Sequence, residues 1–357
     1  MRVGLDLTDA VSPEPTGLGL YALALARSLA EQLPAHEYTA CFRLRAATLR
    51  GGLPSIPSFR RLRYWGRFAP LLSRRLDVFH GTASRAVRAP GLPQVVTLHD
   101  VVHLAHSDYA DGAGRLRRIA HYQEIRLRAH AVIVPSAFCK QEVIARLGVP
   151  DLSIWVVPLA PAPAFLPRTS PDPAVLARLG LDRPYVLFVG GISERKNVLR
   201  LMQSFARLPE GLQLVLAGSV RSAFRSAFEA AAALLGPRVR QLGYVANAEL
   251  PSLYAGARAL AFPSEYESFG IPLLEAMACG CPVVAADAAA LPETAGGAAL
   301  LCDPASVDSI ADGLLRAVSA GSERERAVAA GLARAAEFSY ARTARETARV
   351  YDAVAGG

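Results

Sequence analysis

FPSEYESFGIPLLEAMACGCPVVAAD, residues Phe262–Asp287, decides the fold. An apolar run, Ala259–Phe262, opens into a polar turn. A helical pattern follows, and a break of small residues leads to a second apolar run, Val283–Ala285. Strands that alternate with helices in this way build a parallel sheet. Glu267 and Glu275 stand eight positions apart, Glu267 in the turn and Glu275 in what reads as the first turn of the helix. Gly270 between them permits close backbone approach to a ligand, and Pro272 suits the first helical position. A helix N-terminus flanked by two hydroxyl-accepting carboxylates suits a phosphorylated sugar.

The same alternation extends in both directions. Strand-like runs stand at Val3–Leu7, Tyr38–Phe42, Val78–His80, Val95–Leu98, Val132–Pro135 and Ile154–Val157. A second series stands at Val186–Val189, Leu214–Ala217, Val239–Leu242, Ala259–Phe262 and Val283–Ala285. The proline-rich stretch Ala160–Pro173, APAPAFLPRTSPDP, separates the series and reads as a linker. The expected fold class is therefore α/β, with two Rossmann-like doubly wound domains over 1–165 and 166–338. A final helix, 339–357, is expected to pack back towards the first. Sites in such sheets lie at the carboxyl ends of the strands, so the two domains are expected to face a common cleft.

Composition narrows the class. The 357 residues are 52% hydrophobic and 20% charged, enough to bury cores and too apolar for disorder. No uncharged apolar run reaches membrane-spanning length, and Asp6 and Asp9 interrupt the place where a leader would be apolar. A cytoplasmic protein is expected. Five cysteines, an odd number, do not suggest a disulfide framework. Cys279 and Cys281 read as packing residues. His99, His103 and His106 lack the spacing of a metal motif, so no metal is expected.

The net charge of +8 is unevenly spread. Met1–Ser170 holds 21 basic and 12 acidic residues, whereas Pro171–Gly357 holds 18 and 19. The densest basic stretch is Pro57–Leu76, PSFRRLRYWGRFAPLLSRRL, with six arginines, four aromatics and no acid. It reads either as a solvated loop and helix or as a contact for an anionic membrane surface or acceptor. No nucleic-acid motif accompanies it, so no nucleic-acid partner is expected.

Three further segments carry chemistry. Thr16–Tyr21, TGLGLY, sets Gly17 and Gly19 at a strand-to-helix turn, where backbone N–H groups reach a phosphate or sugar. It lacks the third glycine of a dinucleotide fingerprint, which disfavours a dehydrogenase. Val189–Asn197, VGGISERKN, places Arg195 and Lys196 after a strand and a glycine turn, a pair suited to a diphosphate. Lys196 is one of only two lysines beside 37 arginines. Val96–Asp100, VTLHD, puts His99 and Asp100 at a strand end, where a histidine can orient a hydroxyl or carry a proton.

Taken together these segments resemble the retaining glycosyltransferases of the GT-B fold, in particular the GT4 family with its bacterial mannosyl-, rhamnosyl- and glucosyltransferases. The resemblance covers nearly the whole chain. It is most specific in YESFGIPLLEAMACGCPVVAAD and thinnest across Arg43–Arg75. It implies that Glu267 contacts the transferred sugar, with Ser268, Phe269, Gly270 and Ile271 beside it, and that Glu275 holds the nucleotide ribose. Arg195, Lys196 and Gly191 would meet the diphosphate, and Gly243 and Tyr244 the base. Gly17 and Gly19 would lie near phosphate and acceptor. His99 would hold a donor hydroxyl, with Asp100 on the acceptor side. The resemblance favours GDP-mannose as donor over a UDP- or dTDP-sugar, and no cofactor or metal. The acceptor it suggests is an anionic or lipid-linked saccharide of cell-surface polysaccharide or lipopolysaccharide biosynthesis. Leu20 and Cys281 depart from the family's pattern. Two other classes fit less well: an epimerase or hydrolase of nucleotide sugars with this fold, and a non-catalytic two-lobed sugar-binding protein.

Overall fold

The computed structural model describes residues 1–11, 16–43, 56–64, 66–105, 112–167 and 170–356. They form two compact units, Met1–Leu159 with Ser339–Gly357, and Ala160–Phe338.

The first unit holds a seven-stranded parallel sheet: β1 (Arg2–Asp6), β2 (Glu37–Arg43), β3 (Phe59–Tyr64), β4 (Val78–Gly81), β5 (Gln94–Thr97), β6 (Ala131–Val134) and β7 (Ile154–Val156), in spatial order 3-2-1-4-5-6-7. The central strands are buried along their length, as expected for a parallel sheet covered on both faces. The order reverses between β1 and β4. Segments leaving those two strands diverge to opposite sides and open a crevice at their carboxyl ends.

The second unit repeats the design with six parallel strands: β8 (Tyr185–Val189), β9 (Gln213–Ala217), β10 (Val239–Gly243), β11 (Ala259–Phe262), β12 (Val283–Ala286) and β13 (Leu300–Cys302), ordered 10-9-8-11-12-13. Its reversal falls between β8 and β11. The two segments singled out in the sequence, after Val189 and after Phe262, therefore leave neighbouring strands at the switch point.

The helix Tyr340–Ala355 belongs to the first unit. Ser339 caps it by accepting from Arg342 N–H at 3.2 Å. Its inner face, Ala344, Ala348, Val350 and Tyr351, joins a core with Val3, Leu5, Leu25 and Leu29. Thr343 Oγ1 donates to the Pro158 carbonyl at 2.9 Å, tying the helix to the chain beyond β7. The Tyr351 hydroxyl and His80 Nδ1 share a hydrogen bond of 2.7 Å deep in this core.

Two strands escape the sequence pattern. β3 lies inside the basic stretch expected to be loop and helix, and Gly66–Arg74 after it is 3-10 turn. β3 reads FRRLRY, with only Tyr64 buried, so no apolar alternation marks it. It is an edge strand whose one strand neighbour is β2. β13 is three residues long at the opposite edge of its own sheet. Trp65, also in the basic stretch, lies outside the described residues. No helix among the described residues is long and apolar enough to cross a membrane.

Candidate active site

In the second unit β8 ends at Val189 and the chain enters Gly190 and Gly191, then a 3-10 turn over Glu194–Lys196. The crowding there is backbone on backbone. Gly190 N–H donates to the Ala217 carbonyl at 2.9 Å, and Gly218 N–H to the Gly243 carbonyl at 2.7 Å. Gly218 has φ +148°, and a Cβ on it would fall 1.9 Å from the Gly190 oxygen. Glycine is thus required where the loops after β8, β9 and β10 converge. Asn197, in the left-handed region at φ +59°, ends the turn and donates from its side-chain amide to the carbonyls of Pro263 and Pro304. That amide ties the 190–197 loop to the segment after β11.

The result is a charge cluster. Lys196 Nζ lies 2.5 Å and Arg195 NH1 2.9 Å from the same oxygen, Glu267 Oε1. Arg195 also donates to the Tyr266 carbonyl. Lys196 sits over the Phe262 ring, 4.7 Å from its centre. All three charged side chains are less than a fifth exposed. Burial by itself raises a carboxyl pKa, yet Lys196 and then Arg195 outweigh it and hold Glu267 below the usual range. The Glu267 carbonyl accepts from Ala290 N–H at 3.2 Å, and the Phe269 carbonyl from Thr294 Oγ1 at 2.6 Å. These bonds clamp the turn on its far side. Gly270, at φ +100°, closes it against Leu291, whose Cδ2 stands 2.7 Å from where a Cβ would be.

Ser268 is half-buried within this turn, and Ile271 follows Gly270 as the first residue of the helix Ile271–Ala278. This corrects one expectation: Pro272 is the second helical residue, so Glu275 is the fifth and lies beyond the first turn. Its partner is another buried group. Tyr254 O–H donates to Glu275 Oε2 at 2.9 Å. Burial pushes the Glu275 carboxyl up to about 7, with the tyrosine bond pulling the other way. Gly243 ends β10, and Tyr244, which follows it, is 59% exposed.

In the first unit Gly17 and Gly19 belong to the first turn of the helix Gly17–Gln32, not to a loop ahead of Tyr21 as the sequence suggests. Thr16 is its extended N-cap. The N–H groups that begin that turn therefore belong to a helix terminus. His99 follows β5 and is 9% exposed. Its Nε2 donates to the Thr82 carbonyl at 2.9 Å, and its ring stands edge-on to Tyr21 with 4.7 Å between centres. That bond leaves Nδ1 as the nitrogen able to accept. Burial lowers the His99 pKa, so the ring is neutral at pH 7. Asp100 Oδ1 accepts from Val102 N–H at 3.1 Å and caps a short helix. Among the described residues no three His, Cys, Asp or Glu side chains gather as metal ligands. His106 lies outside the described residues.

Two family models match this chain: Glycosyltransferase Family 4 over residues 15–160 and Glycosyl transferases group 1 over residues 177–334. O-antigen chain mannosyltransferase B of Escherichia coli is 33% identical over 271 residues, covering 72% of this chain and 69% of that protein. The chain is a family 4 glycosyltransferase. Solved structures agree on the fold. Anabaena Alr3699/HepE, in complex with UDP-glucose, superposes with a TM-score of 0.77 at 18% identity, covering 99% of this chain and all of that one. WaaG, a glycosyltransferase involved in lipopolysaccharide biosynthesis, superposes at 0.73 and 19% identity with 99% and 100% coverage.

The glycosyltransferase also has a polar group at its first switch point that sequence reading missed. Asp6 ends β1 and is 2% exposed. Its Oδ2 accepts from Tyr64 O–H at 3.0 Å and from Arg85 NH1 at 2.9 Å, while Arg85 NH2 reaches Asp9 Oδ2 at 3.0 Å. Thr82 Oγ1 donates to the Asp6 carbonyl at 2.5 Å, and the Thr82 carbonyl holds His99. The partners are dozens of residues apart in sequence. The one local signal was an aspartate at the carboxyl end of a strand.

Proposed function

We propose that this glycosyltransferase moves a hexose, mannose by preference, from a nucleoside diphosphate sugar to a saccharide acceptor with retention at the anomeric carbon. GDP-mannose is the favoured donor over UDP- and dTDP-sugars, and an anionic or lipid-linked saccharide of cell-surface polysaccharide or lipopolysaccharide assembly is the favoured acceptor. The mannosyltransferase relative supports the sugar and the polysaccharide setting. The UDP-glucose complex of a neighbour of the same fold supports a nucleotide-sugar donor.

The observation that carries the reading is the convergence of Arg195 and Lys196 on Glu267 beside the second switch point. In the transfer, the bond from C1 to the diphosphate oxygen breaks and the acceptor oxygen bonds to C1. The acceptor proton passes to the departing diphosphate. Negative charge grows on that diphosphate, and two cations held in place beforehand stabilise it without reorganising. Glu267 fixes those cations and, on this reading, meets the sugar hydroxyls. Glu275 accepts from the ribose hydroxyls, and His99, neutral, accepts from a donor hydroxyl at Nδ1. These groups supply the charge stabilisation without a metal.

Thermal-shift screening with GDP, UDP and dTDP tests the donor. The matching nucleotide, at a hundred times its dissociation constant, stabilises the fold by about 2.7 kcal/mol. Silence from all three would sink the reading. A second expectation concerns Tyr254→Phe. Losing its hydrogen bond removes the influence that lowers the Glu275 pKa, so the carboxylate forms only at higher pH. The donor KM should rise roughly 2- to 10-fold, most at or below pH 7, with kcat little changed. A KM equal to wild type from pH 6 to 9 would mean Glu275 does not bind the donor as a carboxylate.

A further inference from the structure

Five arginines of the first unit gather at the end of the sheet opposite the strand carboxyl termini. Arg2 opens β1, Thr39 lies near the start of β2, and Arg60 and Arg61 lie in the first half of β3. Arg74 and Arg75 precede β4. Together they line a cavity of about 340 Å³.

Two of the five arginines have a carboxylate. Arg2 NH2 meets Asp77 at 2.6 Å, and the exposed Arg60 meets Glu37 at 3.3 Å. Among the described residues no ion pair reaches Arg61, Arg74 or Arg75, so the cavity wall keeps an excess of about three positive charges. Charged side chains on an edge strand also serve to keep it from pairing with other chains. That role accounts for Arg61 on β3. It does not account for Arg74 and Arg75, exposed like Arg61, which come from a separate segment and line the same cavity. Mutual repulsion opposes such a gathering, and a bound oxyanion would relieve it. Guanidinium forks match phosphate oxygens in pairs.

We propose that this cavity is an anion site for a phosphate or diphosphate group, separate from the catalytic end of the sheet. The group could arrive on a soluble phosphate ester or as a lipid headgroup, and the chemistry of recognition is the same for both.

Hydrogen exchange locates the event, because the donor site lies in other segments. One arm adds inorganic pyrophosphate. The other adds vesicles of phosphatidylcholine with roughly a third phosphatidylglycerol, an anionic surface. Protection should appear in Phe59–Tyr64 and Leu72–Leu76 and fade as salt screens the charges. Protection by pyrophosphate assigns a soluble ligand; protection by vesicles alone assigns a headgroup. Arg61→Ser with Arg74→Ser and Arg75→Ser should weaken the effective probe roughly 100-fold. The thermal shift with a donor nucleotide should stay as in wild type, so this test is independent of the proposed transfer reaction. No protection of either segment by either probe, or equal binding by the triple variant, would overturn the site.

Discussion

Lys196→Ala and Glu267→Ala should each lower sugar transfer by roughly 100- to 1,000-fold, the range seen when one preorganised electrostatic partner is removed from an active site. The two variants fail for different reasons. Lys196→Ala removes a cation that the proposed reaction places at the leaving diphosphate. Glu267→Ala leaves Arg195 and Lys196 without the oxygen on which both converge, so the positive charge is still present but no longer held in one place. Loss in Lys196→Ala should fall mainly on kcat, because the diphosphate gains charge between the bound donor and the transition state; the free nucleoside diphosphate carries that charge in full, so its binding weakens as well. Circular dichroism and a cooperative thermal transition must first show that each variant is folded. Steady-state rates with the nucleotide sugar selected by thermal shift then decide. Near-normal turnover in both would remove the cluster from the reaction.

Tyr351→Ala should cost about 3–5 kcal/mol, the range for deleting a large buried aromatic. Against a total stability of about 5–15 kcal/mol, one substitution then takes a large share. Tyr351 is 1% exposed and sits where the C-terminal helix meets the core of the first unit. Its hydroxyl also satisfies His80, whose other nitrogen meets Thr97 Oγ1 at 2.8 Å. Tyr351→Phe keeps the ring and should cost about 1–3 kcal/mol through the orphaned histidine nitrogen. The histidine adds an acid limit. Burial, with His99 nearby, pushes the His80 pKa down to about 3, so the folded protein keeps it neutral. An unfolded chain takes up a proton near pH 6.5. Stability present above that pH is therefore lost as pH falls from about 6.5 towards 3. Urea unfolding at pH 7.5 and pH 5 measures both effects. A Tyr351→Ala variant within about 1 kcal/mol of wild type would contradict the packing described here.

The fold was readable in the sequence because parallel strands announce themselves locally. Runs such as VLFV at Val186–Val189 and VVAA at Val283–Ala286 are apolar on both faces and are followed by glycine, proline or helix signals. β3 was not readable because its three arginines are exposed, no apolar alternation marks it, and β2 is the one strand it pairs with. The charge cluster was approachable for a similar reason. Arg195, Lys196, Glu267 and Glu275 fall in two short motifs, each beside a strand end. The partners that hold such polar groups in place come from elsewhere in the chain. Tyr254 precedes Glu275 by 21 positions, Arg85 lies 79 positions from Asp6, and Tyr351 lies 271 from His80. Periodicity shows which side chains face inward, but it does not show which distant polar group each one meets. The start of the helix at Gly17 was hidden too, since glycine is a poor helix former and TGLGLY reads as a loop.

The central claim is that the second unit binds the donor's diphosphate at Arg195 and Lys196. Its most direct test is the nucleotide-induced thermal shift of wild type compared with Lys196→Ala, using whichever of GDP, UDP or dTDP stabilises the wild type. At a concentration giving about 2.7 kcal/mol in wild type, a hundredfold loss of affinity leaves about 0.4 kcal/mol in the variant. A shift of the same size in both proteins would place the diphosphate elsewhere and contradict the account.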